Sequence, residues 1–313
     1  MTPRVRTILE RSAAVAFGAA LALFALEGGY RLLRVRGLGP TTNPAYVEHD
    51  AQLGWRYRSG ARERHRTTEF DVEIAINSRG FRGEEWPPRD GRKRALVLGD
   101  SFAFGWGVEH SESFSSVLER LAPDWQVLNA AVSGYGTDQE LLLLETLASE
   151  VEPDLVVVVY CSNDRMECAS VAPYGRAKPY FTRRGRELVV DGVPIEEPWL
   201  VRHSYLARAI AKWLAERRRP DRDLDPNREW ALVCDLYRAM RDRARGLPLL
   251  VVSSEERLAR FAREEKGLHH LDLRPALAEA SVPVEFPIDR HWTAAGHALV
   301  AREIARTLPT LVP

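Results

Sequence analysis

Ala95-Leu96-Val97-Leu98-Gly99-Asp100-Ser101-Phe102-Ala103-Phe104-Gly105-Trp106-Gly107-Val108 is the stretch around which the chain is organised. Ala95 to Leu98 is a short apolar run, the pattern of a strand buried on both faces. Gly99 breaks the run and sets Asp100 and Ser101 ahead of a glycine-spaced loop, with a helical pattern starting near Glu112. A serine at the carboxyl end of a buried strand stands where open α/β sheets place their ligands. Taken alone, Gly-Asp-Ser is also an ordinary turn, in which glycine permits the bend and the polar side chains cap the backbone. The rest of the chain has to decide.

Outward from this stretch, apolar runs alternate with helical patterns. Strands are expected at Gln126–Asn129, Asp154–Tyr160, Leu249–Ser253 and His270–Asp272, and helices at roughly 113–121, 138–150, 204–218, 228–245, 255–265 and 293–308. Such alternation predicts a parallel sheet covered on both faces. Residues 171–199 are rich in Pro, Arg and Gly and read as an insertion, in which Tyr180-Phe181 and Glu187 to Val190 pair as a hairpin. Upstream, Phe70 to Ile76 alternates as a half-buried strand does, and a turn signal follows at 77–80. With Trp55 and Tyr57 it forms a small β appendage within 35–93, after a linker at 35–50 and ahead of a main domain at 94–313.

Lys plus Arg and Asp plus Glu both number 44, so the net charge is zero, which argues against a nucleic-acid binder that works through phosphate contacts. Cys161, Cys168 and Cys234 show no metal-ligand or disulfide spacing. Ser12 to Leu26 carries no charge, but at about 15 residues it is shorter than the roughly 20 that span a bilayer. Extension to Leu33 suffices if Arg31 snorkels, with Glu27 as a cost. A cleaved signal peptide and a buried amphipathic helix are the competing readings; a membrane anchor over 1–34 is preferred. Arginines flank the run on both sides, so charge does not set its orientation.

Ser101, Gly134, Asn163 and the pair Asp289 and His291 all fall in loops that a parallel sheet brings to one edge. Together they contain what acyl transfer needs. A serine hydroxyl requires a base within hydrogen-bond reach, and histidine can serve near neutral pH. A carboxylate on the other imidazole nitrogen fixes its tautomer, and preset N–H donors stabilise the oxyanion. Each residue also has a plainer reading: Asn129 closing a strand, Gly134 in a turn, Asn163 and Asp164 as caps, Asp289 as a helix cap. His297 inside the last helix, and His269 and His270 at a strand end, read as structural.

Gly99-Asp100-Ser101, Gly134, Asn163-Asp164 and Asp289-Arg290-His291 resemble the ordered blocks of the SGNH (GDSL-like) hydrolase family, over roughly residues 94–307. The resemblance implies a three-layer α/β/α, flavodoxin-like fold that works without metal or organic cofactor. It implies Ser101 as nucleophile and first oxyanion N–H donor, Gly134 and Asn163 as further donors, His291 as base and Asp289 as its partner. Asp100, Asn129 and Asp164 are expected to support the loops; Trp106, Tyr135 and Trp292 line the pocket or fill the core. The chain departs from the family's usual pattern in two places: Asp-x-His stands where Asp-x-x-His is common, and Ser162 replaces a glycine. The first departure, followed by Trp292, is similar to bacterial polysaccharide O-acetyltransferases of the superfamily. The expected function is therefore a serine esterase acting on a small-molecule or glycan acyl ester, anchored with its catalytic domain on the periplasmic or extracytoplasmic side. An O-acetyltransferase of cell-surface polysaccharide using the same triad, and a non-catalytic glycan-binding module, are the alternatives.

Overall fold

Along the chain of the computed structural model, a long helix α1 (Pro3–Val35) precedes two antiparallel hairpins, β1 (Val47–Asp50) with β2 (Gly54–Tyr57) and β3 (Arg62–Arg66) with β4 (Asp71–Ala75). Then come β5 (Lys93–Gly99), α2 (Ser101–Phe104), α3 (Phe114–Leu121), β6 (Trp125–Asn129), α4 (Thr137–Val151), β7 (Leu155–Val159) and α5 (Asp164–Ala169). A third hairpin, β8 (Tyr180–Arg184) with β9 (Glu187–Asp191), leads into α6 (Trp199–His203), α7 (Tyr205–Arg218) and α8 (Pro226–Arg243). The chain closes with β10 (Leu249–Ser253), α9 (Glu256–Glu264), β11 (Leu268–Asp272), α10 (Arg274–Ala278) and α11 (Ala294–Leu311). The described residues are 3–35, 46–185, 187–218, 225–244 and 246–312.

Two compact units result, one drawn from Met1–Pro44 with Glu196–Arg219, the other from Ala45–Ile195 with Pro220–Pro313. The second holds a five-stranded parallel sheet in the order β11-β10-β7-β5-β6. In chain order that is second, first, third, fourth, fifth, the flavodoxin-like doubly wound arrangement, whose switch point lies between β5 and β7. Leu96 to Leu98, Val156 to Val158 and Leu249 to Val252 are all fully buried, because helices cover both faces. α3 packs on α11, while α4 and α5 pack on α8. The fold is thus α/β with a parallel sheet between helical layers, and all five expected strands and the hairpin within 171–199 are present.

One expectation needs correction, and one strand is new. Of the linker read at 35–50, residues 36–45 lie outside the described residues, but Val47–Asp50 is a strand, paired with Gly54–Tyr57 across a turn. The Asp50 carboxylate accepts the N–H groups of Gln52 and Leu53 at 2.8 Å and closes that turn. β3 has no apolar signal in its sequence, Arg-Glu-Arg-His-Arg, which has a charge or imidazole at every position. Only His65 is buried; Arg62, Arg64 and Arg66 stay in solvent and pair across the ribbon with Glu73 and Asp71.

The hairpins share the core of the sheet. Tyr57 Oη donates to Ser133 Oγ (2.9 Å) and accepts the Ser133 N–H (2.7 Å), and Trp55 Nε1 donates to the Ser133 carbonyl. Arg82, buried after β4, donates to the carbonyls of Gly105 and Val108, both in the loop after α2. Burial lowers the Arg82 guanidinium to about 10, so it keeps its charge near neutral pH. In the other unit, the Glu27 carboxylate on α1 accepts the N–H groups of Tyr205 (3.0 Å) and Leu206 (2.9 Å) and the Ser204 hydroxyl (2.9 Å), capping α7. That cap gives Glu27 a use that the apolar run alone does not reveal.

Candidate active site

β5 runs straight into the serine. Gly99 has φ 150°, and a Cβ there would meet the Ala103 Cβ at 2.6 Å and the Val159 carbonyl oxygen at 3.0 Å, so only glycine lets the strand end this tightly. Asp100 is the N-cap of α2, its Oδ1 accepting the Phe102 N–H at 2.9 Å. Ser101 is the first residue of α2, at the carboxyl edge of the sheet and beside the β5–β7 switch point.

The loop before α11 supplies the partners. The His291 carbonyl accepts the Phe286 N–H (2.8 Å), and the Phe286 carbonyl accepts that of Arg290 (3.1 Å), which folds the loop back on itself. Ser101 Oγ and His291 Nε2 are 2.7 Å apart, and His291 Nδ1 is hydrogen-bonded to Asp289 Oδ1. With Nδ1–H donating to the carboxylate, Nε2 is left to accept from the serine hydroxyl. The turn between β3 and β4 steadies this loop: the Glu69 carboxylate accepts the N–H groups of Ile288 (2.9 Å) and Asp289 (2.7 Å). Trp106 Nε1 reaches Asp289 Oδ2 at 3.4 Å, and the Phe102 ring lies 4.7 Å from the imidazole.

Gly134 follows β6 and Asn163 follows β7, the strands on either side of β5. Gly134 has φ 79°, and a Cβ there would come within 3.1 Å of the Tyr174 ring. Asn163 Nδ2 donates to Asp100 Oδ2 (3.1 Å) and to Glu167 Oε1 (2.9 Å), so both amide hydrogens face carboxyl groups. Asn129 Nδ2 ties the Ala103 carbonyl (2.8 Å) to the Ser115 hydroxyl (3.0 Å) and braces α2. Asp164 Oδ2 accepts the Cys161 N–H at 3.0 Å and closes the turn after β7. Ser101, Asp289, His291 and Asp100 are thus contiguous, with Asn163 one hydrogen bond behind Asp100.

Behind the serine lies a buried set of acids: Asp100, Glu140, Asp164 and Glu167. Burial pushes all four upward, and repulsion from neighbouring carboxyls adds to it for Glu140, Asp164 and Glu167, the last reaching about 7. Neighbouring carboxyls in such a site share protons instead of all ionising.

Tyr135 is core, its hydroxyl donating to the Trp55 carbonyl. Trp292 is buried against Phe102 and, with Phe102, Tyr160, Ser162, Leu273 and Glu285, lines a pocket of about 160 Å³. A larger open depression, about 870 Å³, lies at the amino ends of the strands near Pro153 and Leu247, away from these side chains. His297 accepts the Phe114 N–H, and burial lowers its imidazole to about 3; His270 bonds Ser253. Glu69 and Glu167 escaped the sequence reading, since a lone acid in a charged hairpin or at one helical turn from Asn163 carries no pattern of its own. Among the described residues, no group of His, Cys, Asp or Glu is arranged to hold a metal ion.

A parallel sheet in this order, with Gly-Asp-Ser closing its first strand, defines the class of SGNH-type α/β proteins. Residues 97–299 match the model of the GDSL-like Lipase/Acylhydrolase family, and the chain belongs to that family, whose members are acyl hydrolases or acyltransferases. Among solved structures it is similar to a lipolytic G-D-S-L protein from Veillonella parvula (13% identity, TM-score 0.44, 70% of this chain and 100% of that one). It is also similar to a lipase/acylhydrolase from Enterococcus faecalis (15%, 0.43, 71% and 97%) and to the esterase EstA from Pseudoalteromonas (11%, 0.42, 71% and 98%). No curated protein matches the sequence.

Glu69→Ala removes both anchors of the Asp289 loop while leaving the three central side chains intact. A displacement of an ångström costs about a hundredfold in rate, so kcat toward a test ester should fall by that order with KM little changed. An unaltered kcat would remove Glu69 from the site. Glu167→Gln tests the buried acids. The native carboxyl sits at about 7 against an ordinary 4.5, so between these values the native state holds more protons than the unfolded one. The contribution of Glu167 to stability should therefore fall as pH rises from 4.5 to 7, by about 3 kcal/mol at most. In Glu167→Gln that slope should shrink; denaturant titrations with an identical slope in both proteins would contradict the assignment.

Proposed function

We propose that this protein is a serine-dependent ester hydrolase working through an acyl-enzyme, with Ser101 as nucleophile, His291 as base and Asp289 as its partner. The observation that carries the proposal is the 2.7 Å contact between Ser101 Oγ and His291 Nε2, with Asp289 on the other nitrogen. Ser101 Oγ attacks the ester carbonyl carbon as its proton passes to Nε2, and Asp289 stabilises the imidazolium. When the tetrahedral intermediate collapses, the C–O bond to the alcohol breaks and the leaving oxygen takes the proton from Nε2. Water, deprotonated by the same nitrogen, then releases the acid and restores the serine.

The N–H groups of Ser101 and Gly134 and the Asn163 amide serve the oxyanion, the last by turning one hydrogen away from its carboxyl acceptor. The pocket beside Phe102 and Trp292, about 160 Å³, matches the size of cavity that holds one benzene, about 150 Å³. It favours a short acyl group over a long chain. One N-terminal helix is long and apolar enough to cross a bilayer, over Val5–Leu32, with mean hydropathy 1.6 in its most apolar 18 residues; we take it as an anchor that holds the site at the outer face of a membrane, near glycan or small acyl esters. Asp289-Arg290-His291-Trp292 keeps transfer of the acyl group to a sugar hydroxyl as the second reading.

The test uses p-nitrophenyl acetate with and without oligosaccharides, on wild type and Ser101→Ala. Wild-type p-nitrophenol release should exceed that of Ser101→Ala by about a thousandfold or more and should not change with sugar. Acetylated sugar formed by wild type alone would replace hydrolysis with transfer. Equal rates from both proteins, each folded by circular dichroism, would overturn Ser101 as nucleophile.

A further inference from the structure

Outside α1, ten large apolar side chains are exposed among the described residues, and five of them fall between 199 and 214: Trp199, Leu200, Ile210, Trp213 and Leu214. On α7, Ile210, Trp213 and Leu214 stand at i, i+3 and i+4, which puts them on one face of the helix. Each is 40–49% exposed, and Trp199 on α6 is 70% exposed. Residues 199–219 also carry six Lys or Arg against a single carboxylate, Glu216. An apolar face with tryptophan in a strongly basic segment is the make-up of a helix that lies in the interface of an anionic bilayer.

The attachment of this segment to α1 fits that reading. Glu27 caps the start of α7, the Arg31 guanidinium donates to the His203 carbonyl at 2.9 Å, and the Tyr30 and Tyr205 rings stack at 6.0 Å. All three contacts come from the last turns of the apolar stretch Val5–Leu32. If that stretch spans the bilayer, its end lies at the headgroup level, where Tyr, Trp and Arg are favoured. Arg217 stacks over the Trp213 ring at 4.0 Å, as a snorkelling side chain would between acyl chains and phosphates.

We propose that α6 and α7 form an interfacial element, laying Trp199, Leu200, Ile210, Trp213 and Leu214 into the acyl boundary of an anionic phospholipid bilayer beside the end of α1. The inference rests on the reading of α1 as an anchor. None of the eight tryptophans of the chain lies in α1, so tryptophan emission can report on α6 and α7. The full-length protein is reconstituted into vesicles of phosphatidylcholine and phosphatidylglycerol, with the phosphatidylcholine plain or brominated in its acyl chains. Bromine should quench part of the wild-type emission, and that part should be lost in the Trp199→Phe/Trp213→Phe double variant, whose aromatic replacements preserve packing. If the protein floats with the vesicles after a carbonate wash but wild type and double variant are quenched alike, the anchor reading stands and the interfacial element is overturned. A protein stripped from the vesicles by carbonate overturns the anchor reading, and this inference with it.

Discussion

The contact between Ser101 Oγ and His291 Nε2 joins residues 190 apart in sequence across 2.7 Å, and much of the fold can be understood as keeping it in place. One side is fixed by the end of β5, where Gly99 alone fits the turn and Asp100 caps α2. The other side is fixed by a loop that folds on its own carbonyls and hangs from Glu69, a residue of the N-terminal hairpins. A loop positioned by a rigid sheet and a second anchoring carboxylate loses little entropy when it meets a substrate, which is the source of effective molarity in such sites.

Electrostatics imposes the second constraint. Asp100, Glu140, Asp164 and Glu167 are buried together at one edge of the sheet, and desolvation outweighs the hydrogen bonds that would otherwise hold such carboxyls low. Their raised pKa values limit the negative charge buried behind Ser101. Asn163 stands between this set and the site, its two amide hydrogens on Asp100 and Glu167. The protonation of the acids and the freedom of that amide are therefore coupled.

β5, β7 and β10 are legible as apolar runs because they are buried on both faces, whereas the edge strands β6 and β11 carry polar residues and show in the sequence only as short segments alternating with helices. Their order is not legible, because pairing depends on crossovers that leave no mark on the strands themselves. The candidate residues Ser101, Asp289 and His291, which folding brings into hydrogen-bond contact, each stand in a short motif at a strand or helix boundary. Glu69 and Glu167 carry no such motif, since their contacts come from what folding sets opposite them: two backbone N–H groups in one case, an amide in the other. β3 shows the same limit. Its alternation is between arginines in solvent and a single buried imidazole, a pattern without an apolar face to detect.

The most direct test of the central claim is covalent capture of the serine by an aryl phosphonate ester, followed by intact-mass and peptide analysis. Wild type should gain one phosphonyl group on the peptide that contains Ser101, with loss of the aryl oxide, while Asp289→Asn should react far more slowly and Ser101→Ala not at all. Labelling of Ser101→Ala at the wild-type rate, or a wild-type adduct on another residue, would contradict the assignment of Ser101, His291 and Asp289 as one catalytic unit.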